Sequence, residues 1–150
     1  MSPEPAGWKA CATRSADILV CVAAMEAGDF YASSGVRLKD VRRGKGRYEI
    51  EIDPEEGVTY TTQFIGTRKG FDRTSKPLLD EKGEPLPVTR QYSNDIGEVL
   101  AEVTGPTATY ALKGDEIYVR ARINSSKLKA NPYVQGEFER AWTQPLVPNR

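Results

Sequence analysis

Histidine is absent from the 150 residues. That removes Ser-His-Asp and Cys-His catalysis, imidazole metal ligands and a histidine pH switch, leaving carboxylate, lysine, tyrosine or thiol chemistry. Cysteine is scarce: Cys11 and Cys21 are too few for a disulfide scaffold and their spacing fits no zinc motif. They read as inert packing thiols, or as a single bridge were the protein exported. Net charge is also missing, since 21 basic side chains face 21 acidic ones and the pI is near 6.4. A chain that coats nucleic acid or anionic membrane normally carries a large basic excess, so neither is expected as a partner. No apolar run approaches the ~18 residues of a membrane span. The stretch Ile18 to Ala24 follows Arg14, as a signal peptide would, yet it is short and abuts Ser15 and Asp17. A cytoplasmic location is the default expectation.

What is present is a moderate apolar content, 39% of the chain. A chain of this size goes from roughly 24,000 Å² unfolded to about 7,600 Å² folded, enough burial for a core without disulfides. Residues 1 to 12 lack periodicity and read as a loose terminus. From Ser15, a capping residue, Ile18, Leu19, Val22 and Met25 recur at helical spacing up to Gly28, which predicts a helix over 15–27. After Gly28 the pattern turns to strands. Phe30 and Tyr31 begin a short one, and residues 36–43 and 47–53 flank Gly44-Lys45-Gly46 as a hairpin. Tyr48, Ile50 and Ile52 alternate with Glu49, Glu51 and Asp53, the pattern of a strand with one wet face. Val58, Tyr60, Thr62 and Phe64 alternate likewise. Residues 69–95 are polar and proline-bearing, with a hairpin tip at Lys82-Gly83, and such a long segment is expected to be functional or to carry small strands of its own. Further strands are expected at 96–104, 107–112 and 116–124, the last with Ile117, Val119, Ala121 and Ile123 inward and Tyr118, Arg120 and Arg122 outward. The expected fold is an antiparallel, immunoglobulin-like β-sandwich of about seven strands with one N-terminal helix. The boundary falls at residue 34, separating a leader (1–34) from a sandwich domain (35–150).

Several clusters are candidates for binding, and each also has a structural reading. Tyr31, Ser33 and Ser34 end a strand, where their hydroxyls would hold a phosphate or a neighbouring subunit, or else satisfy turn backbone. Arg42, Arg43, Lys45 and Arg47 are basic, but Glu49, Glu51, Glu55 and Glu56 lie close and no aromatics interleave, so a solvated hairpin is expected. Tyr118, Arg120, Arg122, Asn131, Tyr133 and Trp142 combine flat rings with fork-shaped donors, as a carbohydrate-binding platform would. The competing reading places Tyr118, Arg120 and Arg122 on an outer strand face and Trp142 as a plug in the sandwich. Asp80, Glu81, Glu84 and Asp95 lack the regular spacing of calcium ligands, and Lys113-Gly114-Asp115 reads as a turn.

The run Ala24-Met25-Glu26-Ala27-Gly28-Asp29-Phe30-Tyr31-Ala32-Ser33-Ser34-Gly35-Val36 resembles the segment that closes the catalytic barrel of PHP-type metal-dependent phosphoesterases, the polymerase and histidinol phosphatase superfamily. The pieces Asp115 to Arg122, Ser125-Ser126-Lys127, Asn131-Pro132 and Ala141-Trp142-Thr143-Gln144-Pro145 look like the β-rich tail of the same proteins. The resemblance implies a non-catalytic accessory β-sandwich that packs on, or shapes access to, a catalytic domain. The divalent metals and phosphoester hydrolysis of that superfamily would belong to the catalytic domain, since its histidine ligands have no counterpart here. Leu128 and Lys129 stand where the superfamily often has proline and histidine. No catalytic residue, metal ligand or cofactor is therefore expected in this chain. Its partner would be the parent catalytic domain, or a second copy docked through the apolar stripe of the 15–27 helix. The alternative is a free-standing carbohydrate- or protein-binding module.

Overall fold

A computed structural model describes residues 22–44 and 46–148. Within them the chain forms ten strands: β1 (Tyr31–Ser33), β2 (Leu38–Gly44), β3 (Arg47–Ile52), β4 (Tyr60–Arg68), β5 (Ser75–Leu79), β6 (Pro85–Tyr92), β7 (Glu98–Thr104), β8 (Thr107–Ala111), β9 (Glu116–Leu128) and β10 (Phe138–Thr143). A five-stranded antiparallel sheet in the order β1-β10-β9-β4-β7 lies over a three-stranded sheet in the order β2-β3-β8. The expected antiparallel sandwich is present. β5 and β6 form a separate two-stranded hairpin within the polar 69–95 segment, turning at Asp80 to Gly83. Residues 22–27 are helical; the rest of the expected 15–27 helix, and Cys11, Cys21, Ile18, Leu19 and Lys45, lie outside the described residues.

The core follows from the alternation of β3. Tyr48, Ile50 and Ile52 are buried while Arg47, Glu49 and Glu51 point outward, and they face Phe64 of β4, Val119, Ala121 and Ile123 of β9 and Ala141 of β10. At the centre Tyr48 meets Phe64 edge-on with centroids 5.8 Å apart, and Phe64 stacks on Tyr110 of β8 at 5.5 Å. A buried phenol needs a partner for its hydroxyl. The Tyr48 hydroxyl crosses between the sheets to donate to Thr143 Oγ1 at 2.5 Å, and Thr143 Oγ1 in turn accepts the Ala121 N–H at 2.9 Å. The Tyr110 hydroxyl donates to the carboxylate of Glu116 at 2.7 Å, which also accepts the backbone N–H groups of Lys113 and Gly114 at 2.9 Å each. Arg68 ties this corner to its surroundings through Asp115 at 2.7 Å and Glu98 at 3.4 Å.

Three expectations are corrected here. The inward position expected of Ile117 is taken by Glu116, which is 1% exposed, because the ladder between β4 and β9 shifts register at Thr67 and Arg68; Ile117 is turned out to 40% exposure. Residues 138–143, left without a strand by the sequence reading, form β10. Trp142 does not plug the sandwich: the inward residues of β10 are Glu139, Ala141 and Thr143, so Trp142 takes the outward phase. β1 pairs with β10, Tyr31 opposite Thr143 and Ser33 opposite Ala141.

Two glycines permit close approach. A Cβ on Gly66 would lie 2.4 Å from the Tyr118 carbonyl oxygen, and one on Gly35, at φ +153°, would strike the buried carboxylate of Glu139 at 2.1 Å. Replacing Tyr48 with Phe keeps the ring and removes the cross-sheet hydrogen bond, so urea denaturation should show a loss of about 1–2 kcal/mol with an unchanged m-value. Burial opposes ionisation of Glu116, but its backbone donors and the Tyr110 hydroxyl outweigh that and hold its pKa below the ordinary carboxylate value. The stability this contributes is present above the unfolded carboxylate pKa and lost as pH falls toward the folded one. Acid titration of wild type against Glu116→Gln should show a shallower loss in the variant. At the other extreme, burial and the Glu116 carboxylate push Tyr110 up to about 12, so stability declines as pH rises from about 10 toward that value.

Candidate functional site

The sites proposed from sequence separate once folded. Tyr31 is half-buried against the core and its hydroxyl accepts the Leu38 N–H at 3.2 Å. Ser33 Oγ donates to the Val36 carbonyl at 2.6 Å and accepts the Gly35 N–H at 3.1 Å. Ser34 Oγ accepts the Arg140 N–H at 2.9 Å. These hydroxyls hold the turn between β1 and β2 and the edge of β10. The basic hairpin is likewise occupied: Arg42 lies 2.6 Å from Asp40 and 3.2 Å from Glu51, Arg47 lies 3.9 Å from Glu49, and Arg43 reaches the Gly28 carbonyl and Asp29. Asp80 is a turn residue that accepts the N–H groups of Lys82 and Glu84. Among the described residues no group of three or more acidic or cysteine side chains could hold a metal ion, and no helix is long and apolar enough to cross a membrane.

The remaining candidates sit on the outward face of the five-stranded sheet. Because strand residues alternate faces, Tyr118, Arg120 and Arg122 of β9 share one face. The antiparallel register sets Trp142 of β10 directly opposite Arg122. Both guanidiniums stack on the indole, with Cζ to ring-centroid distances of 4.6 Å for Arg120 and 5.2 Å for Arg122. The same row continues across the sheet through Gln63 of β4 to Glu102 of β7. Arg122 donates through Nε to Gln63 Oε1 at 2.8 Å and also through Nη2; Gln63 Nε2 donates to Glu102 at 2.6 Å. Gln63 thus orients Arg122, and Glu102 orients Gln63. Arg120 has no such support: its Nε is buried without a hydrogen-bond partner, and neither arginine has an ion-pair partner among the described residues. Beside Arg120 lies a shallow hollow of about 610 Å³ lined by Ile117, Tyr118, Pro145 and Val147.

Asn131 and Tyr133 do not join this platform. They lie in the β9–β10 connection beyond the Leu128–Phe138 pair, six residues along β9 from Arg122 or about 20 Å. Tyr133 is 97% exposed, and its backbone N–H is held by Glu137, which also bonds Lys129. Gln63 and Glu102 were missed by the sequence reading. Gln63 occupies the outward phase of a clean alternation, which marks a surface position but not its neighbours on the adjacent strands β9 and β7.

Comparison with family models, curated proteins and solved structures finds no match to this chain.

An outward tryptophan carries different energetics from a core one. Trp142→Ala should cost about 1–2 kcal/mol through two lost cation–π contacts, whereas Phe64→Ala in the central stack should cost about 3–5 kcal/mol. Equilibrium urea unfolding of the two variants separates these values.

Proposed function

We propose that this chain is a non-catalytic binding module that recognises its ligand on the outward face of the five-stranded sheet, with Trp142, Arg120 and Arg122 as the contact surface. The observation that carries this reading is the indole and two arginines that the core does not use, one arginine preset by Gln63 and the other unengaged except by the indole. Such a surface holds a partner by stacking and by forked donors, and offers no nucleophile paired with a base. The strand order supports the finer, immunoglobulin-like reading of the sandwich: β2, β3 and β8 take the places of strands A, B and E, and β4, β9 and β10 those of C, F and G, with β7 beside C. Fold likeness assigns no activity, so the functional reading rests on the platform.

A second reading, the accessory domain of a PHP-type phosphoesterase, draws on the resemblance of residues 24–36 and of the 115–145 pieces. One structural observation favours it: β1, the strand of the resembling segment, is an edge strand with β10 as its neighbour in the sheet, where a preceding domain would join. Exposed Val22 and Met25 on the helical stretch would be covered in such a contact, or by a second copy.

Thermal-shift and tryptophan-fluorescence screening against neutral, acidic and phosphorylated sugars and an immobilised peptide panel tests the module. At least one ligand should raise the melting temperature of wild type and leave Trp142→Ala unaffected. A flat response across both panels, or a shift equal in the variant, overturns the platform as the binding surface.

A further inference from the structure

We propose that Arg120 anchors a site for an acidic sugar residue, a flat-faced ring bearing a carboxylate or sulfate whose body rests in the hollow of Ile117, Tyr118, Pro145 and Val147. The inference rests on the binding-module reading and deepens it by naming the class of ligand.

Three observations converge on Arg120. Its guanidinium lies over the Trp142 ring with Cζ 4.6 Å from the centroid, so the indole restrains the side chain at the edge of the hollow. It has no hydrogen-bond or ion-pair partner among the described residues, so its charge is uncompensated and its terminal N–H groups are available to an oxyanion. It is also the charged member of the hollow's lining; the other lining residues are apolar or aromatic. The surroundings explain why the ligand is acidic and not neutral. The indole that a neutral sugar would stack on is already engaged by two guanidiniums, so an approaching ring meets unpaired positive charge. Arg122 contributes to that charge, but its Nε and Nη2 are committed to Gln63. The ligand is small because the basic side chains of β2 and β3 lie on the other sheet and are paired there with Asp40, Glu49 and Glu51, so they do not extend the Arg120 site into a cationic track.

The chain has two tryptophans, so a Trp8→Phe background makes fluorescence report Trp142 alone. This protein is titrated with a glucuronate-containing disaccharide, an O-sulfated disaccharide and a neutral glucose disaccharide. At least one acidic sugar should bind about tenfold more tightly than the neutral one, the ratio expected of a charge-assisted hydrogen bond. Arg120→Gln should remove that advantage, bringing acidic and neutral sugars to the same affinity. Response to the carboxylate, the sulfate or both identifies which oxyanion the fork accepts. Should Arg120→Gln lose its near-ultraviolet circular dichroism, Arg120→Lys keeps the charge without the planar fork and should likewise weaken acid binding selectively. Equal binding of acidic and neutral sugars, or unchanged acid binding in folded Arg120 variants, overturns the acidic site while leaving the module reading standing. No response to any of the three sugars also overturns the acidic site, and the module reading then falls only if the broader sugar and peptide panels are flat as well.

Discussion

Tyr48, Phe64 and Tyr110 form the column on which the two sheets meet, and the placement of its two hydroxyls constrains much of what surrounds it. Three large rings supply apolar burial that a two-layer sandwich of this size needs, but each phenol brings a polar atom into the interior that must be satisfied. Tyr48 reaches the opposite sheet, where room exists only because β10 presents Ala141 and Thr143 inward; Thr143 supplies the hydroxyl that receives it. Tyr110 reaches Glu116, and the same carboxylate closes the β8–β9 turn by accepting two backbone N–H groups. A buried carboxylate with this many donors is both a hydrogen-bond hub and a commitment, since losing one partner would leave a charge in an apolar setting.

The outer surface inherits these choices. Since small residues occupy the inward phase of β10, the large Trp142 takes the outward phase. Since Glu116 is drawn inward by Tyr110, the strand shifts register there and Ile117 turns out to line the hollow beside Arg120. The platform is thus a consequence of how the core satisfies its own polar atoms. Its polarity is graded across the sheet, from the cations of β9 stacked on the β10 indole to the carboxylate of Glu102 at β7, with Gln63 as the intermediary that both accepts from Arg122 and donates to Glu102. An amide suits that position because it carries an acceptor and donors on one flat group.

Where the alternation of apolar and polar residues was regular, the strands were legible before folding. Tyr48, Ile50 and Ile52 identified the buried face of β3, and the glycines at 44 and 46 and at 83 marked turns that hairpins occupy. β10 escaped notice because its inward residues are a glutamate, an alanine and a threonine, and its bulky ones face solvent, the reverse of the usual pattern. Ile117 misled for a related reason, since a register shift breaks the period of two on which such reading depends. The outward phase of Arg120 and Arg122 was anticipated; their convergence on Trp142 was one of two readings left open, and the separation of Asn131 and Tyr133 from them was not visible.

The sequence by itself determined the class of architecture, the turns, the missing histidine chemistry and the balance of charge, because these follow from composition and from periodicities that act over a few residues. Only the tertiary structure decided that residues 31–33 join the sheet of β10, that Trp142 lies outside the core and that Gln63 links Arg122 to Glu102. The physical reason is that cross-strand neighbours lie about 5 Å apart in space yet tens of residues apart in the chain, so their pairing depends on register. Register is set in turn by which face each strand buries and by the turns between them, and neither names the partner strand.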